Sequence, residues 1–434
     1  MSAQADKAAL LRDPNFRWMM GGGFLSMLGD QFTLIALPWL VLQLTRDALT
    51  LGLVLAVMGI PRAVFILIGG AVTDRYSPKT VLMLTKYANA ILLGLLSALV
   101  LSGQTTMPLL YAIALGIGLA SAFSFPAGSS MLPNAVAPEH LQIANGMIMG
   151  MRVLTSLAGP LLAGVLIAFS GHSGGTVADA RGLGIAFAFD ALTFAVTIFT
   201  LQRVRMHASA VRAAPQHVLR AVGDGLAMVW RDAEMRSAFL YWGIISLVVG
   251  GTMQVALPVL ASTRLGGAAS LGLVMGAHGA GMLLGMTLSS IRPNFRIGTL
   301  GSTLLVVDAL AGLLLLFMGG IHAAWQGAAL MLALGALAGF MQVAVFTWIQ
   351  RRVPREMLGR TMSIFLFIMM GLAPLAASLT GLLMQVVSLA QLFFGSGLFL
   401  VIGAMLAFAL TPMRRINDPQ SATIPTPQPT EEPS

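Results

Sequence analysis

An all-α integral membrane protein, with twelve transmembrane helices in two six-helix pseudo-repeats, is the fold class this sequence predicts. Three observations carry that expectation. The 434 residues are 57% hydrophobic and only 9% charged, with a mean hydropathy of +0.86, a composition unlike that of soluble globular chains. Apolar runs of about 20 residues, each long enough to cross a bilayer, follow one another along the chain. The second half also repeats the first. A shift of 220 residues (256 minus 36) lays Ala36–Gly59 on Ala256–Gly279 with ten of twenty-four positions identical, including Pro38 with Pro258 and Leu51–Val54 with Leu271–Val274.

Taken in order, the runs predict helices at 17–43, 50–73, 79–102, 107–130, 142–170 and 183–202, then at 237–262, 268–290, 298–320, 324–349, 357–385 and 388–411. The chain then divides into an N-terminal segment 1–16, a first bundle 17–202, a linker 203–236, a second bundle 237–411 and a tail 412–434. Lys7, Arg12 and Arg17 precede the first run, which shows no short apolar core with a small-residue cleavage site, so it is expected to stay as an anchor. Pro-broken polar turns, Ala135–Leu141 and Arg351–Met357, follow the fourth and tenth helices. In the linker, Val218, Leu219, Val222, Leu226, Val229 and Trp230 recur at helical spacing opposite Arg220, Asp224 and Arg231. That pattern predicts an amphipathic helix on the membrane interface. The Pro-rich end from Asn417 cannot bury a core and is expected to be disordered.

A net charge of +9 would suggest nucleic acid in a soluble protein, but its distribution here is topological. Lys7, Arg12, Arg17, Arg75, Lys79, Lys86, Arg203, Arg205, Arg212, Arg220, Arg231, Arg236, Arg292, Arg296, Arg351, Arg352, Arg355, Arg360, Arg414 and Arg415 fall on one predicted face. Only Arg46, Arg181 and Arg264 fall on the other. The positive-inside rule then puts both termini in the cytoplasm and excludes a nucleic-acid partner. Zero Cys excludes disulfide and thiol chemistry. The six His residues are scattered without metal-ligand spacing, and there is no P-loop. No cofactor, no metal and no enzymatic site are therefore expected.

Gly69–Lys79 concentrates charge in a short loop between the second and third helices, where a membrane helix leaves the lipid. Its pattern, G-x-x-x-D-R-x-x-x-K over Gly70, Asp74, Arg75 and Lys79, resembles the helix 2–3 loop of the major facilitator superfamily. The resemblance extends through Leu28–Pro38, Ile60–Phe65, Leu132–Gly146 and Arg351–Ser363, and looks like the bacterial branch that includes macrolide-efflux proteins and the enterobactin exporter. Gly159, Pro160 and Gly164 resemble the helix 5 signature of drug:proton antiporters, with Ala163 and Thr155 replacing two of its glycines.

What this implies is a monomeric secondary transporter in the inner membrane of a bacterium, with a small molecule, protons and the lipid bilayer as partners. It would be a proton-coupled exporter of amphipathic molecules such as drugs or macrolides, or an exporter of anionic siderophores. The resemblance also implies a cytoplasmic gate in which Asp74 faces the start of helix 11 near Arg360 when the cavity opens outward.

Ionisable groups deep in the membrane are functional candidates. Asp30 lies thirteen residues beyond Arg17, roughly 20 Å along its helix at about 1.5 Å per residue. Arg62 and Arg152 reach a similar depth, so an Asp30–Arg62 or Asp30–Arg152 pair is the expected coupling site, with a static packing pair as the alternative. Asp190 and Asp308 fall on helices expected to be peripheral. His278, Gln254 and Gln342 complete the cavity candidates, His278 as a proton shuttle and the glutamines as hydrogen-bond partners of substrate.

Overall fold

The computed structural model describes residues 10–170, 176–206, 218–292 and 295–417. The expected tail lies outside them from residue 418, as do Lys7 and Arg212. The first six helices are α1 (Pro14–Thr45), α2 (Ala48–Arg75), α3 (Pro78–Leu101), α4 (Met107–Ala135), α5 (Leu141–Ser170) and α6 (Thr176–Arg203). The linker helix, Val218–Arg231, comes next. The second six begin with α7 (Ala233–Thr263), α8 (Ala268–Ile291), α9 (Leu300–Met318) and α10 (Ala324–Arg352). They end with α11, formed by Arg355–Leu366 and Ala373–Leu383, and α12 (Leu389–Leu410). Twelve of these helices are long and apolar enough to cross a membrane.

Several helices outrun their apolar cores because polar residues cap them. Asp13 accepts from the Asn15 N–H at 2.8 Å and Pro14 opens α1, which starts the helix before the first apolar residue. Arg46, with φ 52°, ends α1 in the left-handed region, and Asp47 starts α2 at once by accepting from the Leu49 and Thr50 N–H groups. Pro38, Pro61, Pro126, Pro133 and Pro160 sit inside their helices without ending them. Two π turns, Thr252–Ala256 in α7 and Phe367–Gly371 in α11, interrupt helices of the second half. Each widens the helix by one residue and frees local backbone, a feature frequent at functional sites.

Within the first half α2 packs on α4, and α1 and α3 pack on α6. In the second half α8 packs on α10 and α9 on α12. The two halves meet through α5 against α8 and α2 against α11. Repeated glycines make both seams. A methyl group on Gly52 would run into the Ala377 carbonyl of α11, and one on Gly272, its repeat equivalent, into the Pro160 carbonyl of α5. Gly59 meets the Pro374 ring, and its equivalent Gly279 meets the Ser156 carbonyl. Close backbone approach through small residues is how membrane helices gain contact without a hydrophobic driving force.

These contacts run from the end remote from the chain termini to the middle of the helices. There one apolar core runs through both halves, from Ile35, Leu51 and Leu96 to Val255, Leu271 and Phe393. Toward the terminal face the core splits into clusters confined to one half each. On that side Val64 and Phe65 of α2, Met149 of α5, Leu284 and Leu288 of α8 and Phe367 of α11 are exposed. A methyl group on Gly146 or Gly150 of α5 would meet no other helix within 4 Å among the described residues. The halves therefore diverge into a cleft that opens toward the termini.

A latch closes the remote end. Gln385, beyond α11, donates from Nε2 to Asp47 Oδ1 at 2.8 Å. Partial burial opposes ionisation of Asp47, but the Thr50 hydroxyl, the Thr50 and Leu49 N–H groups and Gln385 outweigh it and hold its carboxyl below the usual range. Because the folded value is depressed, this contribution is present above the ordinary carboxylate pKa of about 4 and is lost as pH falls below it. Asp47→Ala removes both the cap and the bridge. It is expected to cost about 1 kcal/mol and to speed cysteine labelling beside Gln385 in a single-Cys background. Unchanged labelling would show that the latch contributes nothing.

Candidate functional site

Asp30 lies sixteen residues along α1 from Pro14 (30 minus 14), in the middle of a membrane helix, yet it is exposed. The helices around it explain this. Gly29, one position earlier, presses against Asp190 and Thr193 of α6, and Gln31, one position later, packs on Gly159 of α5. Asp30 points between these two contacts, on the side of α1 left open by the cleft.

Its counter-ion is Lys86 of α3. The Lys86 ammonium donates to Ser26 Oγ at 2.7 Å, one turn before Asp30 on the same face of α1. It also stands 4.6 Å from the centre of the Phe194 ring, one turn beyond Asp190 on α6. From there it acts electrostatically on both Asp30 and Asp190. Asp190 is 1% exposed. Its Oδ2 accepts from Thr33 Oγ1 at 2.5 Å and its Oδ1 from Thr193 Oγ1 at 3.3 Å. Three helices thus bring two carboxylates and one ammonium together, with Ser26, Thr33 and Thr193 as the hydroxyl shell.

This corrects two expectations. Arg62 and Arg152 do not pair with Asp30: neither is among the groups acting on it. Both stay without an acidic partner among the described residues, Arg62 half-buried on α2 and Arg152 exposed on α5. Lys86 is not a surface charge, since it lies eight residues inside α3 (86 minus 78), about 12 Å from the helix start at about 1.5 Å per residue. A lysine two turns into an apolar run was the available signal. It was obscured because a long side chain at that depth can also snorkel to the interface.

The remaining candidates sit apart from this trio. His278 belongs to the packing of α8 on α10, with its ring bonded to the backbone at Met331, its Nδ1 buried without a partner and its carbonyl against Gly335. Gln254 lies half-buried in the π turn of α7, and the Gln342 Oε1 of α10 is buried without a partner. Asp308 of α9 lies beside the Tyr241 hydroxyl of α7, with no cation acting on it among the described residues.

The sequence profile of the Major Facilitator Superfamily matches residues 19–378. The chain belongs to this superfamily. It is similar to the enterobactin exporter EntS of Escherichia coli O1:K1 / APEC, at 25% identity over 417 residues and 93% of each chain. Among solved structures it resembles the D-xylose–proton symporter, with TM-score 0.71, 12% identity and coverage of 93% of this chain and 98% of that one. It also resembles a bacterial homologue of the iron transporter ferroportin in its inward-facing state, with TM-score 0.68, 18% identity and coverage of 93% and 99%. The superfamily and its twelve-helix transporter fold are thereby established, and the chain is a multi-pass membrane protein.

The superfamily motifs can now be placed. Gly159, Pro160 and Gly164 are packing surfaces: Gly159 meets Gln31 of α1, while Pro160 and Gly164 meet Gly272 of α8. Lys79 binds back within the first half, donating to the Gln202 and Val204 carbonyls at the end of α6 at 3.2 and 2.7 Å. The α2 helix runs through Arg75, so Gly70, Asp74 and Arg75 belong to its last turns rather than to a loop, and the surroundings of Gly70 and the side chains of Asp74 and Arg75 lie outside what is described. Arg360 pairs with Asp224 of the linker helix at 3.1 Å.

That linker helix is docked on the second half. Gly225 and Val229 press it onto α11 beside Arg360 and Ile364, leaving Leu226 and Trp230 exposed. Next to it Asp232 caps α7 and binds Arg352 through Oδ2 at 2.6 Å, while Glu234 takes the same guanidinium at 2.9 Å. Burial raises the Asp232 carboxyl, but the bond and charge of Arg352 together with the Met235 and Glu234 N–H groups outweigh it and hold the group below its usual range. The linker helix is thus fastened to the second half.

Proposed function

We propose that this protein is a proton-coupled exporter of amphipathic small molecules, an antiporter working by alternating access, with Asp30 as the residue that takes up and releases the coupling proton. The observation that carries the proposal is a carboxylate at mid-membrane depth on the open face of α1, with Lys86 behind it. Such a group meets water in one conformation and is sealed in the other, so its proton affinity changes with the transport cycle. The arginine distribution puts the termini in the cytoplasm, so the cleft seen here opens inward. Family membership and the exporter relatives support efflux across a bacterial inner membrane.

Of the two substrate classes, an anion has the better structural support. Lys86 answers Asp30, which leaves Arg62 and Arg152 with no acid to neutralise them among the described residues. Two uncompensated guanidinium groups suit a carboxylate or catecholate ligand, and the EntS relatives are named as enterobactin exporters. A drug or macrolide substrate, and with it a part in multidrug resistance, is the second reading. The exposed Met149, Phe367 and Met370 favour it, since flexible thioether and aromatic surfaces accommodate varied apolar ligands.

Enterobactin and erythromycin, tested in a strain lacking other pumps, separate the two readings. Uncoupler-sensitive export of enterobactin is expected, with Arg62→Gln and Arg152→Gln each weakening it about tenfold or more, the loss of a charged hydrogen bond. Export of erythromycin alone, unaffected or improved by those substitutions, would overturn the anionic assignment. No uncoupler-sensitive flux of either probe would count against coupled export.

A further inference from the structure

We propose that the coupling proton is shared by two carboxylates, with Asp190 the second acceptor and Lys86 the internal cation that pairs with whichever one is ionised. The inference rests on the reading of Asp30 as the coupling residue and extends it to a three-helix site.

The geometry divides the labour. Asp30 opens to the cleft, whereas Asp190 is sealed behind it with its oxygens held by Thr33 of α1 and Thr193 of its own helix. Lys86 sits between them, tied to Ser26 on the Asp30 side and resting on Phe194 on the Asp190 side. The hydroxyl that holds Asp190 comes from the helix that carries Asp30, three residues further on. A movement of α1 against α6 would therefore change both carboxylates at once.

Charge counting then sets the proton number. Two ionised carboxylates with one ammonium leave a net negative charge in a poorly solvated site, and a buried unpaired charge is strongly destabilising. One added proton makes the trio neutral. A proton passing from Asp30 to Asp190 breaks one O–H bond and forms another, leaving the total charge unchanged while Lys86 turns to the carboxylate left ionised. The empty, negative form is tolerable only while Asp30 meets water, so proton release is tied to the open cleft.

No other charge intrudes among the described residues. Arg62 of α2 and Arg152 of α5 do not act on either carboxylate. Arg264 of α7 is turned to the Gly319 carbonyl, Arg203 of α6 rests on Trp18 and Phe199, Lys79 of α3 is bound to the end of α6, and His278 of α8 faces α10.

The test is an infrared titration of the full-length protein in liposomes, reading the band of protonated carboxylic acid against pH, which needs no substrate. The wild type should show one carboxyl's worth of titrating band from the pair, and Asp30→Asn with Asp190→Asn should remove it. Asp190→Asn leaves Asp30 alone with the ammonium and is expected to move the midpoint at least one unit to lower pH. Lys86→Gln leaves two carboxylates without a cation and should move it at least one unit higher. The double variant Lys86→Gln/Asp190→Asn should return the midpoint between these two, and Lys86→Arg, which keeps the charge, should stay near wild type.

If Lys86→Gln fails to fold, Lys86→Arg and Asp190→Asn still distinguish a shared proton from mere packing: a packing trio loses thermal stability with no shift in midpoint. Unmoved midpoints, with Asp30→Asn still uncoupling export, would sink the shared-proton site and leave the Asp30 reading standing. Shifted midpoints, with Asp30→Asn still exporting uphill, would do the reverse.

Discussion

Reconstituted in liposomes with an imposed proton gradient, the Asp30→Asn protein is expected to lose uphill export while keeping substrate binding and downhill exchange. A proton crossing about 100 mV releases about 2.3 kcal/mol. At 1.4 kcal/mol per tenfold, that sustains roughly a 40-fold substrate gradient for each proton coupled. The asparagine keeps the size and much of the hydrogen bonding of the carboxyl but cannot carry the proton, so the sustained gradient should fall to one. Lys86 and Asp190 then form a neutral pair, which protects the fold from the unpaired buried charge that makes such substitutions damaging elsewhere. Asp30→Glu keeps a titratable group at the cleft and should retain part of the gradient. Accumulation by purified Asp30→Asn protein against its gradient, driven by the proton gradient, would make Asp30 a packing residue.

Much of this molecule is legible in its sequence. Twelve spans follow from apolar length alone, because the bilayer imposes one requirement on every helix. The helix ends are less legible, because Asp13, Asp47 and Asp232 read as ordinary charges until their side chains are seen capping backbone N–H groups. The pairing of Asp30 with Lys86 is hidden for a related reason. Asp30, Lys86 and Asp190 stand on α1, α3 and α6, and nothing in the spacing along the chain links them. Depth points to Arg62 and Arg152 instead, but depth does not say which way a side chain faces. The linker helix shows its amphipathic period in sequence, yet its docking depends on Gly225 and on Asp224 meeting Arg360, residues of a distant helix. Only the repeat carries tertiary information directly. Its identical glycines turn out to be the contact points between the halves.

Those glycines give the second large effect. Gly272→Leu should drive α8 off α5 at the remote end and shift the population from the form open at the terminal face toward the form open at the remote end. A methyl group at this position already meets the Pro160 carbonyl and the Gly164 backbone, neither of which can turn aside as a flexible side chain would. Overpacking of this kind costs about 1–3 kcal/mol, equivalent to a population shift of roughly 5- to 150-fold. The repeat makes a second, independent prediction, because Gly52 meets the Ala377 carbonyl at the pseudo-symmetric seam of α2 and α11. Gly52→Leu should act in the same direction, and since the two seams share no residues the effects of the pair should add in free energy. Gly94 of α3, where a methyl group would meet no other helix within 4 Å among the described residues, supplies the control, and Gly94→Leu should leave the equilibrium unchanged. The measurement is the distance between spin labels placed across the remote end of the halves, with a second pair across the terminal face. Opening at the remote end and closing at the terminal face is the expected result for both seam variants. Wild-type distances in a folded Gly272→Leu protein would mean that the seam does not control which side is open.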